Sequence, residues 1–346
     1  MSEISFITLE AVADRLEAAN TVLILTHMRP DGDTLGSAIG VRELLRALGK
    51  RAEVINADAT VPKRLQFICG TEKLTPDTLP AEYAPDLIMS VDVSAPHLLG
   101  ELEAEYAPKT ALAVDHHVLG APFAPETYVG DVGACGEIIA DLYRIFEKRG
   151  KKLLNKTAAI ALYSAICTDT GNFKFEAVTP ETHIRVAELM AVGFDHSEVA
   201  RRLYDSRPIT QVIATKLALG TLNFYHENKI AAVHFTQDML KENGLTREDI
   251  EDIIGLTRGI EGVEVGISVK QSDTDPTFFK VSMRSNRVAD VSKLCAVFGG
   301  GGHIRAGGCT VYAPDIAEAE RMLVAEIDRE LTRLENEGAF LNAGEL

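Results

Sequence analysis

Short apolar runs alternate with helical patterns through the first half of the chain. "TVLIL", "AEVINA", "DLIMSVDV" and "ALAVDHH" read as strands, and "TLGSAIGVRELLRALGK" reads as a helix with small residues on one side and leucines on the other. Strands that are apolar on both faces and separated by helices predict a parallel sheet in an α/β layer fold. "ACGEIIADLYRIFEKRG" and "KTAAIALYSAICTD" predict two more helices. From about Phe194 the pattern loosens into helical connecting material. Beyond it, "KIAAVHFT", "VEVGISVKQ" and "TFFKVSMRS" alternate like strands, with a helix between the first two. "ADVSKLCAVFGGGGH" predicts a helix ending in glycines, and "AEAERMLVAEIDRELTRLENE" predicts a C-terminal amphipathic helix. The expected division is a parallel-sheet α/β domain over 1–192, a helical linker over 193–222 and a smaller α/β domain over 223–346. A cleft between the lobes is the expected place for a small-molecule site.

Composition narrows the class. The 346 residues are 46% hydrophobic and 25% charged, as in soluble globular proteins, and they suffice for two domains with sizeable cores. No apolar run reaches the roughly 18 residues of a membrane span. The acidic, amphipathic N-terminus lacks the basic and apolar regions of a signal peptide. Five scattered cysteines without a CxxC spacing indicate free thiols in a reducing cytoplasm. A formal net charge of −16 disfavours long contact with duplex nucleic acid, although a local positive site can still hold a short phosphorylated ligand.

The candidate chemistry lies where apolar elements end. "ILTHMRPDGDTLGS" places His27, Asp31 and Asp33 just after a strand. Taken alone, the two aspartates are most simply helix-cap residues before a helix beginning near Thr34, and His27 is a structural histidine. The other element ends weaken that reading. Asp92 follows the next apolar strand, Asp115, His116 and His117 follow another, and Asp169 ends an apolar helix. Burying so much negative charge without counterions is expensive, and divalent cations would supply the missing charge. Carboxylates mixed with imidazoles, without thiolate, suit manganese, iron, cobalt or zinc better than magnesium. The ligands exceed the needs of one ion. Two ions about 4 Å apart are the economical arrangement and suit phosphate ester hydrolysis. In the second lobe, "FGGGGH" permits positive φ and close approach of N–H groups to an anion. It also fits a helix merely terminated by glycines, with solvated arginines nearby.

"HMRPDGDTLGS", "VDVS", "VDHH" and "TDTGNF", in that order, resemble the four motifs of the DHH phosphoesterase superfamily. "MRSNRVADVSKLCAVFGGGGHIRAGG" resembles the signature of the DHHA1 domain. The resemblance implies that His27, Asp31 and Asp92 hold one metal and that Asp33, Asp92, His116 and Asp169 hold the second, with Asp92 as the bridge. It implies that His117 faces the scissile phosphate, and that Asp115 orients a ligand histidine through its other ring nitrogen. Arg284, Ser285, Gly300, Gly301, Gly302 and His303 would line a nucleotide phosphate site, where Arg284 can grip a terminal phosphate bidentately.

Among the superfamily's branches, the pyrophosphatases carry a different C-terminal domain. RecJ-like exonucleases are longer, and the membrane-bound cyclic-dinucleotide phosphodiesterases carry transmembrane segments. The compact remainder implies a cytoplasmic, manganese-dependent nanoRNase. Its expected substrates are di- to pentanucleotides of RNA and adenosine 3′,5′-bisphosphate, from which it removes the 3′-phosphate. A homodimer is compatible with this reading, and neither membrane nor long duplex nucleic acid is an expected partner. Linear or cyclic diadenylate is the alternative substrate. A non-catalytic nucleotide-binding regulator is the alternative of a different class.

Overall fold

The apolar runs of the first half become a six-stranded sheet whose strands all run parallel. The computed structural model describes residues 4–340, and its contacts divide the chain into two units, Met1–Ser206 and Arg207–Leu346. In the first unit the strands are β1 (Ser5–Phe6), β2 (Thr21–Leu25), β3 (Arg51–Ile55), β4 (Leu87–Val91), β5 (Leu112–Asp115) and β6 (Glu126–Val129). Their spatial order is β1-β6-β5-β4-β2-β3. Chain direction across the sheet reverses at β2, which has β3 on one side and β4 on the other. In open parallel sheets, ligands bind beyond the carboxyl ends of strands at such a switch point.

Both sheet faces are covered, which explains why the strands read as continuous apolar runs. Val22, Ile24, Met89 and Val114 join the larger core with the flanking helices, while Leu23, Leu25 and Ile55 turn to a smaller cluster with Val93 and Leu99. The small residues of the Gly32–Ala47 helix have a specific use. A Cβ at Gly36 would lie 2.3 Å from the Ala161 carbonyl oxygen, so the Lys156–Asp169 helix packs against it almost backbone to backbone. That close approach carries Asp169 toward the ends of β2 and β4.

The second unit is built differently. Its strands are β7 (Asn223–Tyr225), β8 (Ile230–Phe235), β9 (Val265–Gln271), β10 (Phe278–Ser285), β11 (Gly301–His303) and β12 (Ala306–Tyr312). They lie in the order β11-β12-β10-β9-β8-β7, antiparallel except for the β8–β9 pair. Val265, Ile267, Phe279, Val281 and Met283 pack with Leu323, Ile327 and Leu331 of the Ile316–Asn336 helix. On the opposite face, helical residues such as Ala214 and Ile250 cover Val233 and Phe235 of β8.

The glycine-rich segment departs from expectation. It does more than end the Val291–Val297 helix: Gly301–His303 turns back as an edge strand paired with Ala306–Gly308. All five cysteines are free and buried. No helix among the described residues is long and apolar enough to cross a membrane.

Candidate metal centre

The loop after β2 brings His27, Asp31 and Asp33 to the sheet's carboxyl edge. The helix there begins at Gly32, earlier than the sequence suggests, so Asp33 lies inside its first turn. Asp31 is the N-cap and accepts from the Asp33 and Thr34 amides, each at 3.0 Å. Capping uses only one of its functions, because His27 Nε2 stands 3.6 Å from the same Oδ1. Asp33 is fully buried and held from three sides. Ser37 Oγ donates to it at 3.0 Å, and the Cys135 and Gly136 amides donate at 2.6 and 2.9 Å. Those amides open the Cys135–Lys148 helix, whose N-terminal dipole favours a carboxylate. The sequence showed that helix but not its hold on Asp33.

Asp92 sits at the centre. It follows β4 with φ 57, a left-handed conformation that is uncommon for a non-glycine residue and a form of strain that clusters at functional sites. It is 3% exposed. Oδ2 lies 3.6 Å from His27 Nε2, and Oδ1 lies 3.4 Å from His116 Nε2. One carboxylate thus turns its two oxygens toward two imidazoles. His116 Nε2 also lies 3.3 Å from Asp169 Oδ2 and 3.8 Å from Asp33 Oδ2. Three overlapping donor groups result, His27–Asp31–Asp92, Asp33–His116–Asp169 and Asp92–Asp115–His116–His117, each with ligand atoms within 4.8 Å of one another.

Backbone carbonyls set both ring orientations. His27 Nδ1 pairs with Met28 O at 2.9 Å and His116 Nδ1 with Val132 O at 3.1 Å. Each ring therefore directs Nε2 to the carboxylates. Here the reading of Asp115 is corrected. Its Oδ1 accepts from the amides of His116 and His117 at 2.7 and 3.2 Å and pairs with His117 Nδ1 at 2.8 Å. It orients His117, and a backbone carbonyl orients the candidate ligand His116. The physical reason is local: an aspartate two residues before His117 reaches that ring directly. His117 remains half exposed.

The electrostatics match a cluster short of positive charge. Burial opposes charge on His27, yet Asp31 and Asp92 carry its pKa up to about 11. Burial likewise opposes charge on His116, and Asp92 and Asp33 carry it up to about 10. Burial, then the charges of Asp92 and Asp169, push Asp33 well above the usual carboxylate range. Asp169 rises to about 6, chiefly through burial. A bound cation relieves the same field that otherwise holds these protons. The donors fit such cations on a separate ground: Asp92 Oδ1 is buried and makes no hydrogen bond. A buried carboxylate oxygen left orphaned is costly unless something positive completes it.

The remaining candidates lie together in the second unit. Across adjacent strands, Arg284 faces Ala306, which in turn faces His303, while Gly301 and Gly302 face Gly308 and Gly307. Gly302 has φ 141. A Cβ at Gly300 would lie 2.2 Å from Gly308 O. Arg284 is partly buried and pairs with no carboxylate among the described residues; it donates to Met283 O at 2.9 Å. Ser285 differs in kind, because it is fully buried and its hydroxyl donates to Ala289 O at 2.7 Å. That bond holds the turn after β10 and leaves the side chain facing inward.

Carboxylate–imidazole groups at the switch point of a parallel sheet are placed for metal binding, and the chain belongs to the DHH family of phosphoesterases. The family model described as "DHH family, N-terminal domain" matches residues 21–166, and "DHHA1 domain" matches residues 228–332. The chain is 30% identical to the bifunctional oligoribonuclease and PAP phosphatase NrnA of Thermus thermophilus, over 93% of this chain and 94% of that one. It is 27% identical to the protein of the same name from Bacillus subtilis, over 88% and 93%. In fold it resembles an exopolyphosphatase-related protein from Bacteroides fragilis, with a TM-score of 0.80 and 22% identity over 94% of this chain and 97% of that one.

Proposed function

We propose that this chain is a cytoplasmic, manganese-dependent phosphoesterase that hydrolyses di- to pentanucleotides of RNA to mononucleotides and removes the 3′-phosphate of adenosine 3′,5′-bisphosphate. The observation that carries the reading is Asp92, a buried carboxylate with one oxygen toward each of two imidazole–aspartate groups. The two NrnA relatives, matched over nearly their whole length, support the substrate class.

In this reading His27, Asp31 and Asp92 hold one ion, and Asp33, Asp92, His116 and Asp169 hold the other. When bound, the ions supply charge to polarise the phosphoryl oxygens and to activate a water nucleophile. The protein's own part is positional. Met28 O and Val132 O fix the two ligand rings, and the Cys135 and Gly136 amides hold Asp33 aimed. His117, gripped by Asp115, faces the scissile phosphate and stabilises the charge developing there. Arg284, with Gly300, Gly301, Gly302 and His303, binds a second phosphate of the substrate, and Ser285 shapes that loop.

The test is release of mononucleotide or phosphate with manganese from a panel of RNA dinucleotides, longer oligomers, adenosine 3′,5′-bisphosphate, and linear and cyclic diadenylate. Highest kcat/KM on RNA dinucleotides and the bisphosphate is expected. Preference for cyclic diadenylate, or binding of all ligands without turnover, would reject the proposal.

A further inference from the structure

The two carbonyls that turn the candidate ligand rings are themselves gripped, and in the same way. A carbonyl oxygen only accepts hydrogen bonds, so His27 Nδ1 donates to Met28 O and His116 Nδ1 donates to Val132 O. Each of these carbonyls shares a flat peptide unit with the N–H of the next residue, Arg29 in one case and Gly133 in the other. No peptide bond among the described residues is cis, so in each unit the N–H points away from the C=O. Both N–H groups end on a carboxylate: Arg29 N donates to Asp58 Oδ2, and Gly133 N donates to Glu137 Oε1 at 3.1 Å. Two relays of the same composition result, each running carboxylate, peptide plane, imidazole. Neither Asp58 nor Glu137 belongs to a donor group of the metal centre.

Each carboxylate is fixed from behind. Glu137 is 1% exposed, and Arg185 Nη1 donates to its other oxygen at 2.8 Å. Asp141 holds Arg185 in turn, accepting from Nε at 3.0 Å and Nη2 at 2.6 Å. Glu137 stands in the first turn of the Cys135–Lys148 helix, the turn whose amides hold Asp33. Asp58 is placed by the buried Asn56, just past β3. Asn56 Oδ1 accepts from Asp58 N at 2.8 Å, and its Nδ2 donates to His27 O at 2.6 Å. Arg29 adds an independent sign of constraint, because it holds φ 55. A non-glycine residue keeps such a backbone only where its surroundings over-determine it, and the bond from its amide to Asp58 is one of those restraints.

We propose that Asp58 and Glu137 are positioning residues for the metal centre, each aiming one ligand imidazole through the peptide plane between them. A carboxylate at the N–H end polarises the amide and strengthens its carbonyl as an acceptor. The ring is thereby held with its proton on Nδ1 and with Nε2 turned to the cation. Where a carboxylate meets the distal ring nitrogen directly, the same task needs no intermediary; here one peptide unit carries it across. The inference rests on the reading of His27 and His116 as metal ligands, but metal binding and ring spectroscopy test it without recourse to turnover.

The experiment titrates manganese into the full-length protein by calorimetry and records the imidazole ¹⁵N–¹H signals of the zinc-loaded protein, zinc serving as a diamagnetic probe. The wild type shows a slowly exchanging Nδ1–H signal from each of the two rings. Asp58→Ala weakens manganese binding about 10-fold, the low end of the effect of losing an outer partner, and disturbs the His27 signal alone. Glu137→Ala weakens binding similarly and disturbs the His116 signal alone. Asp58→Asn and Glu137→Gln keep an acceptor oxygen for the amide and recover most of the affinity. Loss of Glu137 also breaks a buried ion pair, so Asp58→Ala, at a partly buried position, decides the question where Glu137→Ala does not fold. The inference is overturned if Asp58→Ala binds manganese like the wild type, if it disturbs both ring signals equally, or if Asp58→Asn is as impaired as Asp58→Ala. Wild-type protein that binds neither ion overturns it together with the metal-centre reading. If the binding and ring results hold while RNA dinucleotides and adenosine 3′,5′-bisphosphate go uncleaved, the proposed function fails and the positioning role stands; cleavage of both with unaltered Asp58→Ala removes the positioning role alone.

Discussion

The first unit places its candidate ligands at the ends of strands, and the second places its candidate phosphate-binding residues on and beside the strands of a sheet. In the parallel sheet both faces are covered, and polar groups from distant parts of the sequence gather beyond the carboxyl ends of the strands. The antiparallel sheet spends one face on its core and leaves much of the other polar. An edge can converge on a point, which suits a cation. A face presents a row, which suits an extended anionic ligand. In the proposed function the two architectures divide the work of a phosphoesterase according to what each geometry offers.

The sharpest way to break that comparison is at the point of convergence. Asp92→Asn keeps a residue that tolerates the left-handed backbone but removes the charge both donor groups share. Activity should fall by more than the 10- to 100-fold typical of losing an outer supporting partner. Calorimetry should show lost manganese binding and circular dichroism an intact fold. Near-normal turnover would mean that the two groups act without a bridge.

The row is probed by Arg284→Ala. A charge-assisted contact of about 1.5–3 kcal/mol corresponds to a rise in KM of roughly 10- to 150-fold, with metal binding unchanged. Loss of metal with KM unmoved would place the arginine at the edge-type site instead. A smaller effect is expected from the packing beneath the centre. Gly36→Ala puts a Cβ against the Ala161 carbonyl and should cost about 1–3 kcal/mol in denaturant stability. It should also weaken manganese binding, because Asp169 ends the displaced helix.

The smallest effect concerns the second unit. His226 lies between Asp328 and Glu335 at 2.7 and 2.9 Å. Burial opposes its charge, but these carboxylates raise its pKa above the ordinary histidine value. A raised value in the folded state stabilises fully below the unfolded pKa of about 6.5 and fades as pH climbs through the folded one. His226→Asn should therefore lose more stability, relative to wild type, at pH 6 than at pH 9. An equal loss at both would show that the ion pairs contribute nothing measurable.

Much of this was legible in sequence where hydrophobic pattern and side-chain chemistry coincide. The runs ending at Leu25, Val91 and Asp115 are strands because β-branched and aliphatic residues fill both faces, and the charged groups just past them announce the edge. The hairpin of Gly301–His303 with β12 was not legible, since glycines carry no hydrophobic period and read equally as a helix stop. Nor could sequence reveal that Asp115 grips His117, that Val132 O turns His116, or that Asp92 adopts positive φ. Those depend on backbone geometry that side-chain identity does not encode.

The spread of the donors along the chain bears on how the protein is made. His27 and Asp169 bracket the whole centre, with Asp92 and His116 between them. During synthesis the early fragments expose scattered aspartates that any passing cation can touch only one or two at a time. The full cage closes only after the Lys156–Asp169 helix has emerged and docked on the glycines of the Gly32–Ala47 helix. In the proposed centre, helix docking thus acts as a clasp on the order of events, so that tight capture of metal would report the docking of this helix within the first unit.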